Sequence, residues 1–291
     1  MKHQFGIIDG IPKLARYQYF RLKLGSDPRQ SLVALSEFAA NNDVVVGLGQ
    51  SLLMALDTSI PGMRKMPEFT GKGIEVPTTP HALWCWIRGS DRGDLLHKAR
   101  KVRTLLADAF DIDQVTDAFE YDESRDLTGY EDGTENPTGD DALDAALLKS
   151  EQTGLNGSSF VAVQRWVHDL DVFQAMSHTE QNNTFGRDQV SNEELDDAPE
   201  SAHVKRTAQE DFDPEAFVVR RSMPWANETE EGLVFVAFGK SFDAFEALMS
   251  RMIGADDDIV DGLFSFTRPV TGSYFWCPPI KDERLDLSAI I

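Results

Sequence analysis

The chain has 291 residues, 41% of them hydrophobic and 10% aromatic, so a substantial core can be buried and a disordered chain is excluded. Its 28 Lys and Arg face 49 Asp and Glu, a formal net charge of −21 at pH 7. A surface this acidic repels phosphate backbones and anionic lipid headgroups, which argues against nucleic acid and membranes as partners.

The opening MKHQFGIIDG holds no long apolar run, so no secretory leader is expected. Nowhere do about 18 apolar residues follow one another, as a spanning helix requires, and the expected location is the cytoplasm. Residues 15–24 (ARYQYFRLKL) alternate apolar with polar and read as a strand. Asp27 and Pro28 open a helix to about Ala40, with Leu32, Leu35 and Phe38 on one stripe. A strand over 44–48 follows, then a Gly-, Pro- and Lys-rich loop over 58–80. Residues 82–88 (ALWCWIR) read as a strand, 91–110 as a helix and 115–121 as a closing strand. The order is β-α-β-β-α-β, the ferredoxin-like unit.

Residues 122–157 are charged and glycine-rich and read as a loop, after which the pattern restarts. Strands are expected over 159–168 (SFVAVQRWVH), 217–223, 232–239 and 271–277, and helices over 169–176 and 242–253. This is a second β-α-β-β-α-β order carrying an insertion over 181–215. The halves share no evident sequence repeat. Between 188 and 215 the insertion has ten acidic residues against Lys205 and Arg206, the composition of a solvated loop, and it holds one histidine, His203.

The two cysteines, Cys85 and Cys277, lie in apolar aromatic stretches and read as buried thiols. The six histidines form no HxH or HxxxH pair, so no multi-histidine metal site is expected. Asp132 lies in GYEDGTENP, where Asp-Gly and Asn-Pro are turn dipeptides. The same glycines would also let the backbone approach a flat cofactor and leave one carboxylate pointing at it. In VVRRSMP, strand parity puts Arg220 and Ser222 on one face and Arg221 on the other. Either both arginines are solvated at an edge, or one is buried and needs an anion.

Taken together, four segments in order resemble the dye-decolorising peroxidase family in its bacterial cytoplasmic branch. They are GYEDGTENP over 129–137, matching the family's GxxDG motif; SAHV over 201–204; VRRSMP over 219–224; and RPVTGSYFWCP over 268–278. SFVAVQRWVHDL and Gly186-Arg187 fit between the first two. The resemblance implies an α+β fold of duplicated ferredoxin-like units with antiparallel sheets and haem in the C-terminal half. It divides the chain into an N-terminal half over 1–122, a connecting loop over 123–157 and a C-terminal half over 158–291. It implies one haem b per chain with His203 as the iron ligand. Asp132, Arg220 and Ser222 would face the peroxide. Gly133, Thr134, Glu135 and Asn136 would border the cofactor, Arg187 would meet a propionate, and Phe235 would line the pocket. Asp261 would be the carboxylate behind the histidine.

A carboxylate at Asp132 would shuttle a proton between the peroxide oxygens, and Arg220 would stabilise the developing anion. Carboxylate chemistry there gives an expected acidic optimum. The partners implied are hydrogen peroxide and an aromatic, dye-like reductant, with the chain forming a homo-oligomer. The alternative is a haem-handling or cargo-type haem protein on the same fold. Cargo usually requires a targeting extension, and none is evident after the last strand.

Overall fold

The structure is a computed structural model and describes residues 2–291. A short helix α1 (Phe5–Ile8) precedes β1 (Leu14–Leu22), α2 (Arg29–Ala40), β2 (Val44–Leu48) and α3 (Gln50–Ala55). The long loop expected over 58–80 contains a small hairpin, β3 (Phe69–Gly71) and β4 (Ile74–Val76). Then come β5 (Leu83–Gly89), α4 (Arg92–Leu106) and β6 (Phe110–Phe119). Asp91 caps α4 by accepting the Asp94 N–H at 2.9 Å. Leu95, Ala99, Val102 and Leu106 form its buried stripe. The helix stops short of the expected Phe110. Phe110 and Ile112 alternate with Asp111 and Asp113, a period of two that belongs to the strand. Asp113 is the extra residue of a bulge where the β1–β6 register shifts between Tyr19 and Phe20.

The connecting region, expected to be loop throughout, includes α5 (Gly139–Ala146), whose Ala142, Ala145 and Ala146 are buried. The second half runs β7 (Ser159–His168), α6 (Leu170–Ala175), α7 (His178–Phe185), α8 (His203–Arg206), β8 (Val219–Arg220), β9 (Met223–Ala226), β10 (Glu231–Gly239), α9 (Asp243–Met252), β11 (Thr267–Pro269) and β12 (Ser273–Cys277). A hairpin, β13 (Ile280–Lys281) and β14 (Arg284–Leu285), ends it. The insertion is built, not simply solvated. α7 starts at a capping box in which the Ser177 hydroxyl accepts the Glu180 N–H and Glu180 accepts the Ser177 N–H.

The first four long strands lie in the order β2-β5-β1-β6, and the C-terminal ones in the order β12-β7-β10-β9. Each is the antiparallel 2-3-1-4 or 4-1-3-2 arrangement of a ferredoxin-like unit, so the expected α+β class and duplication hold. The halves are not separate bodies. One bridge pair, Trp276↔Leu48, joins β12 to β2, and another, Ala118↔Trp225, joins β6 to β9. Together with the β7–β10 ladder these seams close an eight-stranded ring. Alternation sends Tyr17, Tyr19, Trp84, Trp86, Phe238 and Phe275 to the inside of the ring. Their neighbours face outward under α2, α4 and α9. Cys85 and Cys277 are both free and buried. Among the described residues no helix is long and apolar enough to cross a membrane.

Candidate active site

On the outer face of the C-terminal strands, β7 presents Gln164, Trp166 and His168, and β10 presents Leu233 and Phe235. Residues two apart share a side, so one strand supplies a column of lining groups. α9 lies over this face with Phe245, Leu248, Met249 and Met252 directed toward it. Between helix and sheet is a cavity of about 530 Å³, closed by the GxxDG loop and by the insertion. It is within the size range of small-molecule and cofactor sites.

His203 is the first residue of α8 and lines this cavity. Its Nδ1 lies 2.8 Å from Asp261 Oδ2. Asp261 is 1% exposed, and its other oxygen accepts the Leu263 N–H at 2.9 Å. The carboxylate thus accepts a hydrogen bond from Nδ1–H, the tautomer that leaves Nε2 with its lone pair. Two contacts fix this geometry. The Gly262 N–H donates to Ser201 O at 2.7 Å, which registers the two segments. Arg206, one turn beyond His203, reaches both oxygens of Asp257 at 2.6 and 2.7 Å and Arg251 O at 2.6 Å, tying α8 to the end of α9.

Arg220 and Asp132 meet in the same cavity, with Nη2 and Oδ1 3.8 Å apart, close enough to attract but open to a bridging group. The expected continuous strand over 217–223 is interrupted between them and β9. Asn136 replaces a neighbouring strand along its free edge. Its Oδ1 accepts the Arg220 N–H at 2.7 Å, and its Nδ2 donates to Arg220 O at 3.0 Å. Register against β10 is kept, from Arg220↔Ala237 to Met223↔Val234. Ser222 Oγ accepts the Val236 N–H at 3.4 Å, taking a ladder bond that a carbonyl would otherwise take. Ser222 is buried and does not line the cavity. Gly133 also lies off the wall. It has φ +84°, and a Cβ there would come within 2.7 Å of Asn136 Nδ2, so glycine keeps the clamp in place.

Thr134, Glu135, Arg187 and Phe235 all line the cavity. Arg187 is already neutralised: its Nη2 donates to Glu135 and Glu194, each at 2.6 Å, and its Nη1 to Asn192 O at 2.9 Å. The expected sites therefore divide. Asp132, Thr134, Glu135, Arg187, His203, Arg220 and Phe235 converge on the cavity, Asp261 and Asn136 stand behind them, and Gly133 and Ser222 contribute backbone geometry.

Two groups escaped the sequence reading. Gln164 is fully buried on the wall, and its Nε2 has no partner while its Oε1 accepts the Trp166 N–H at 3.2 Å. Arg220 Nε is likewise unpartnered. The second is a buried pair: His168 Nε2 lies 3.0 Å from Asp126 Oδ1, and His168 Nδ1 lies 2.6 Å from Thr267 Oγ1. Period-two facing along β7 would have found Gln164. Nothing local links His168 to Asp126, 42 residues earlier.

Burial pushes the Asp126 carboxyl up, but donors from His168 and Thr128 outweigh it and hold the group below its ordinary value. A depressed folded value means stability that is present above the unfolded pKa of ~3.9 and is lost as pH falls through the lower folded one. Asp126→Asn is expected to lower the urea midpoint at neutral pH and to remove this acid-dependent component. A variant whose midpoint tracks the wild type from neutral to acidic pH would contradict the assignment.

A family profile described as Dyp-type peroxidase, C-terminal, matches residues 123–282. The chain is 32% identical over 219 residues to a dye-decolorizing peroxidase of Mycobacterium tuberculosis, covering 73% of this chain but 65% of that protein. The chain thus spans slightly less than two thirds of that relative. A dye-decolorizing peroxidase of Rhodococcus erythropolis is 32% identical over 245 residues, 80% of this chain and 71% of the relative. Among solved structures, a variant of DypB from Rhodococcus jostii in complex with heme superposes with a TM-score of 0.86 at 25% identity, over 94% of this chain and 95% of that one.

Proposed function

Because the chain belongs to the Dyp-type peroxidase family, we propose that its cavity holds one haem b and that the protein reduces hydrogen peroxide while oxidising aromatic reductants. The observation that carries this is the His203–Asp261 pair, which fixes the imidazole by Nδ1 and leaves Nε2 for a metal in a cavity that also holds Arg220 and Asp132. The lining fits a large flat ligand with a polar edge. Leu233, Phe235, Leu248 and Met249 are apolar, while Gln164 Nε2 and Arg220 Nε are donors without protein acceptors.

An iron porphyrin held there by His203 would supply the two-electron reduction of the O–O bond and the one-electron exchange with a reductant. The chain's own residues do the rest. Asp261 holds the Nδ1 proton and makes the imidazole a stronger donor. Asp132 removes a proton from one peroxide oxygen and returns it to the other, directly or through water. Arg220 remains cationic and stabilises the anionic peroxide and the departing hydroxide. Asn136 keeps Arg220 in place through its backbone. A haem-handling or cargo role has no need of a carboxylate and a guanidinium 3.8 Å apart in the cavity, and this pair favours peroxide chemistry.

The direct test is spectroscopic. Haem added to the apoprotein should saturate at one per chain with a Soret band, and one equivalent of peroxide should shift that band. No saturable binding, or a band indifferent to peroxide, would overturn the proposal.

The reductant's charge follows from the cavity lining, where the carboxylates of Asp126, Glu131, Asp132, Glu135, Glu194, Glu200, Glu210 and Asp211 outnumber the cations Arg187, Lys205 and Arg220, in a chain of net charge −21. The local field has the sign of the global one, so cationic aromatic donors are drawn in and anionic dyes repelled. Salt shortens the screening length to ~10 Å at 0.1 M. It should lower kcat/KM for a cationic reductant and raise it for an anionic dye. Equal effects on both would rule out steering.

The cytoplasmic setting is part of the same proposal, supported by two free thiols. Self-association into a homo-oligomer rests on the family resemblance, and sedimentation velocity decides it.

A further inference from the structure

We propose that Gln209 is a positioning residue that ties the His203 wall of the cavity to the opposite wall and so holds Arg220 and Asp132 in register with it. The inference rests on the peroxidase reading above and adds a residue of this chain to it. Gln209 is 6% exposed, lines the cavity and opens the short turn Gln209–Asp211. It follows α8, which carries His203, and precedes β8, which carries Arg220.

The side chain reaches both segments that hold the distal pair. Its Oε1 accepts the Val218 N–H at 2.9 Å, just ahead of β8, and its Nε2 donates to Glu135 O at 2.9 Å in the GxxDG loop. Its backbone O accepts the Ala216 N–H at 2.9 Å, which folds the intervening chain back on itself.

These bonds extend the clamp made by Asn136. A carboxamide carries the donor and the acceptor of a peptide group on one planar unit. The Asn136 amide serves the N–H and carbonyl of Arg220, and the Gln209 amide joins Glu135 O to the Val218 N–H. Backbone groups two residues apart repeat along one strand edge. The two amides therefore stand in line where the peptides of a neighbouring strand would stand. One clamp alone lets the GxxDG loop pivot about Asn136. The second fixes its angle to the strand, and with it the 3.8 Å gap between Asp132 Oδ1 and Arg220 Nη2. Other tethers do not do this. The Asp132 N–H goes to Ser124 O within the same connecting segment, and the bonds from Asn192 to Thr134 and from Arg187 to the Glu135 carboxylate are exposed and compete with water.

Gln209 is equally part of the other wall. The Thr207 N–H and hydroxyl both donate to His203 O, at 3.0 and 2.7 Å, and Asp211 O accepts from Arg251 of α9 at 3.4 Å. Among the described residues, Gln209 is the one member of 203–211 that hydrogen-bonds to the GxxDG loop or to the chain leading into β8. One carboxamide thus links the segment of the imidazole to the segments of the carboxylate and the guanidinium.

The test compares Gln209→Met, which keeps the length and loses both bonds, with Gln209→Glu. A protonated glutamic acid keeps an acceptor and a donor, whereas its carboxylate has no donor for Glu135 O. Stopped-flow mixing of the haem-loaded proteins with peroxide should show Gln209→Met slowed by up to ~100-fold, the scale of a reacting group displaced by about 1 Å. Its haem stoichiometry and resting Soret position should stay those of the wild type. At the acid end of the pH range Gln209→Glu should approach the wild-type rate at the same pH, and Gln209→Met should stay slow. In the haem-free protein, Gln209→Met should raise amide exchange at Val218 and Arg220 and leave α2 and α4 unchanged.

A full peroxide rate in Gln209→Met, unchanged exchange at Val218, or two variants equally slow in acid overturns the positioning role. If Gln209→Met does not fold, Gln209→Glu decides: a rate relative to wild type that falls as pH rises supports the role, and one flat with pH overturns it. A wild type without haem uptake or Soret response sinks the peroxidase reading itself, while the exchange result stands without haem.

Discussion

His203→Ala is expected to abolish the haem-ligand spectrum, and none of the other five histidines should do so when replaced. The structure supplies a reason for each. His97 and His178 are exposed on helix surfaces. His3 does not reach the cavity, and His81 has its two nitrogens placed on Ser273 at 3.3 Å and Asp113 at 2.9 Å. His168 is the one real competitor because it lines the cavity, but Thr267 and Asp126 occupy both of its nitrogens. Only His203 combines a cavity position with one nitrogen held by protein and the other left over. Asp261→Ala is the companion variant. It removes the group that fixes the imidazole and strands the Nδ1 donor beside a buried void, so haem affinity should fall about 10–100-fold while a Soret band remains. Titrating haem into each variant and reading position, intensity and spin state checks both statements. A His203→Ala protein with the wild-type spectrum would remove the proposed ligand.

Much of this site could be read from residue pattern, and what could not has a common cause. The ten residues of β7 and the stripe of α9 show in the sequence because period two and period 3.6 are local signals. The ferredoxin-like order follows from element types alone. Closure of the two sheets into one ring does not, since each seam is a single bridge pair and leaves no periodic trace. α5 hides in a segment whose glycine and aspartates imitate a loop. The acidic insertion looked solvated because its charges were counted without their partners: Arg187 gathers Glu135 and Glu194, and Lys205 takes Glu200. Asp261 was placed behind His203 by resemblance, and 58 residues separate the two, a distance over which no spacing rule operates. Parity and the resemblance thus named Arg220, Asp132 and His203 in the cavity and Asp261 behind it, but parity also sent Ser222 there, which does not line it, and missed Gln164 and His168, which do.

Arg220→Ala should slow the reaction with peroxide by about 10²–10³, equivalent to ~2.7–4 kcal/mol, the usual cost of losing a preorganised donor at a site of developing negative charge. Arg221→Ala should leave that step nearly intact, and the two substitutions differ by a single position. Strand parity separates them: Arg220 lines the cavity, whereas Arg221 turns to the opposite face, where its Nη2 donates to Ile8 O at 2.5 Å. Arg221→Ala nevertheless carries more than the cost of a solvated edge residue. Arg221 is half-buried, and burial, followed by the neighbouring Arg88 charge, pulls its pKa down. Its loss strands the Ile8 carbonyl, a penalty of about 1–3 kcal/mol, partly offset by relief of repulsion from Arg88. The expected pattern is therefore crossed. Arg220→Ala loses rate and keeps its thermal midpoint, and Arg221→Ala keeps rate and loses midpoint. Asp132→Ala should be no worse than Arg220→Ala, because a water in the space the carboxylate leaves can relay the proton while Arg220 still supplies its charge. Stopped-flow mixing with peroxide, followed at the Soret band, together with thermal denaturation of each variant, resolves the pattern. A crippled Arg221→Ala beside a competent Arg220→Ala would mean that the strand faces the cavity one residue out of register.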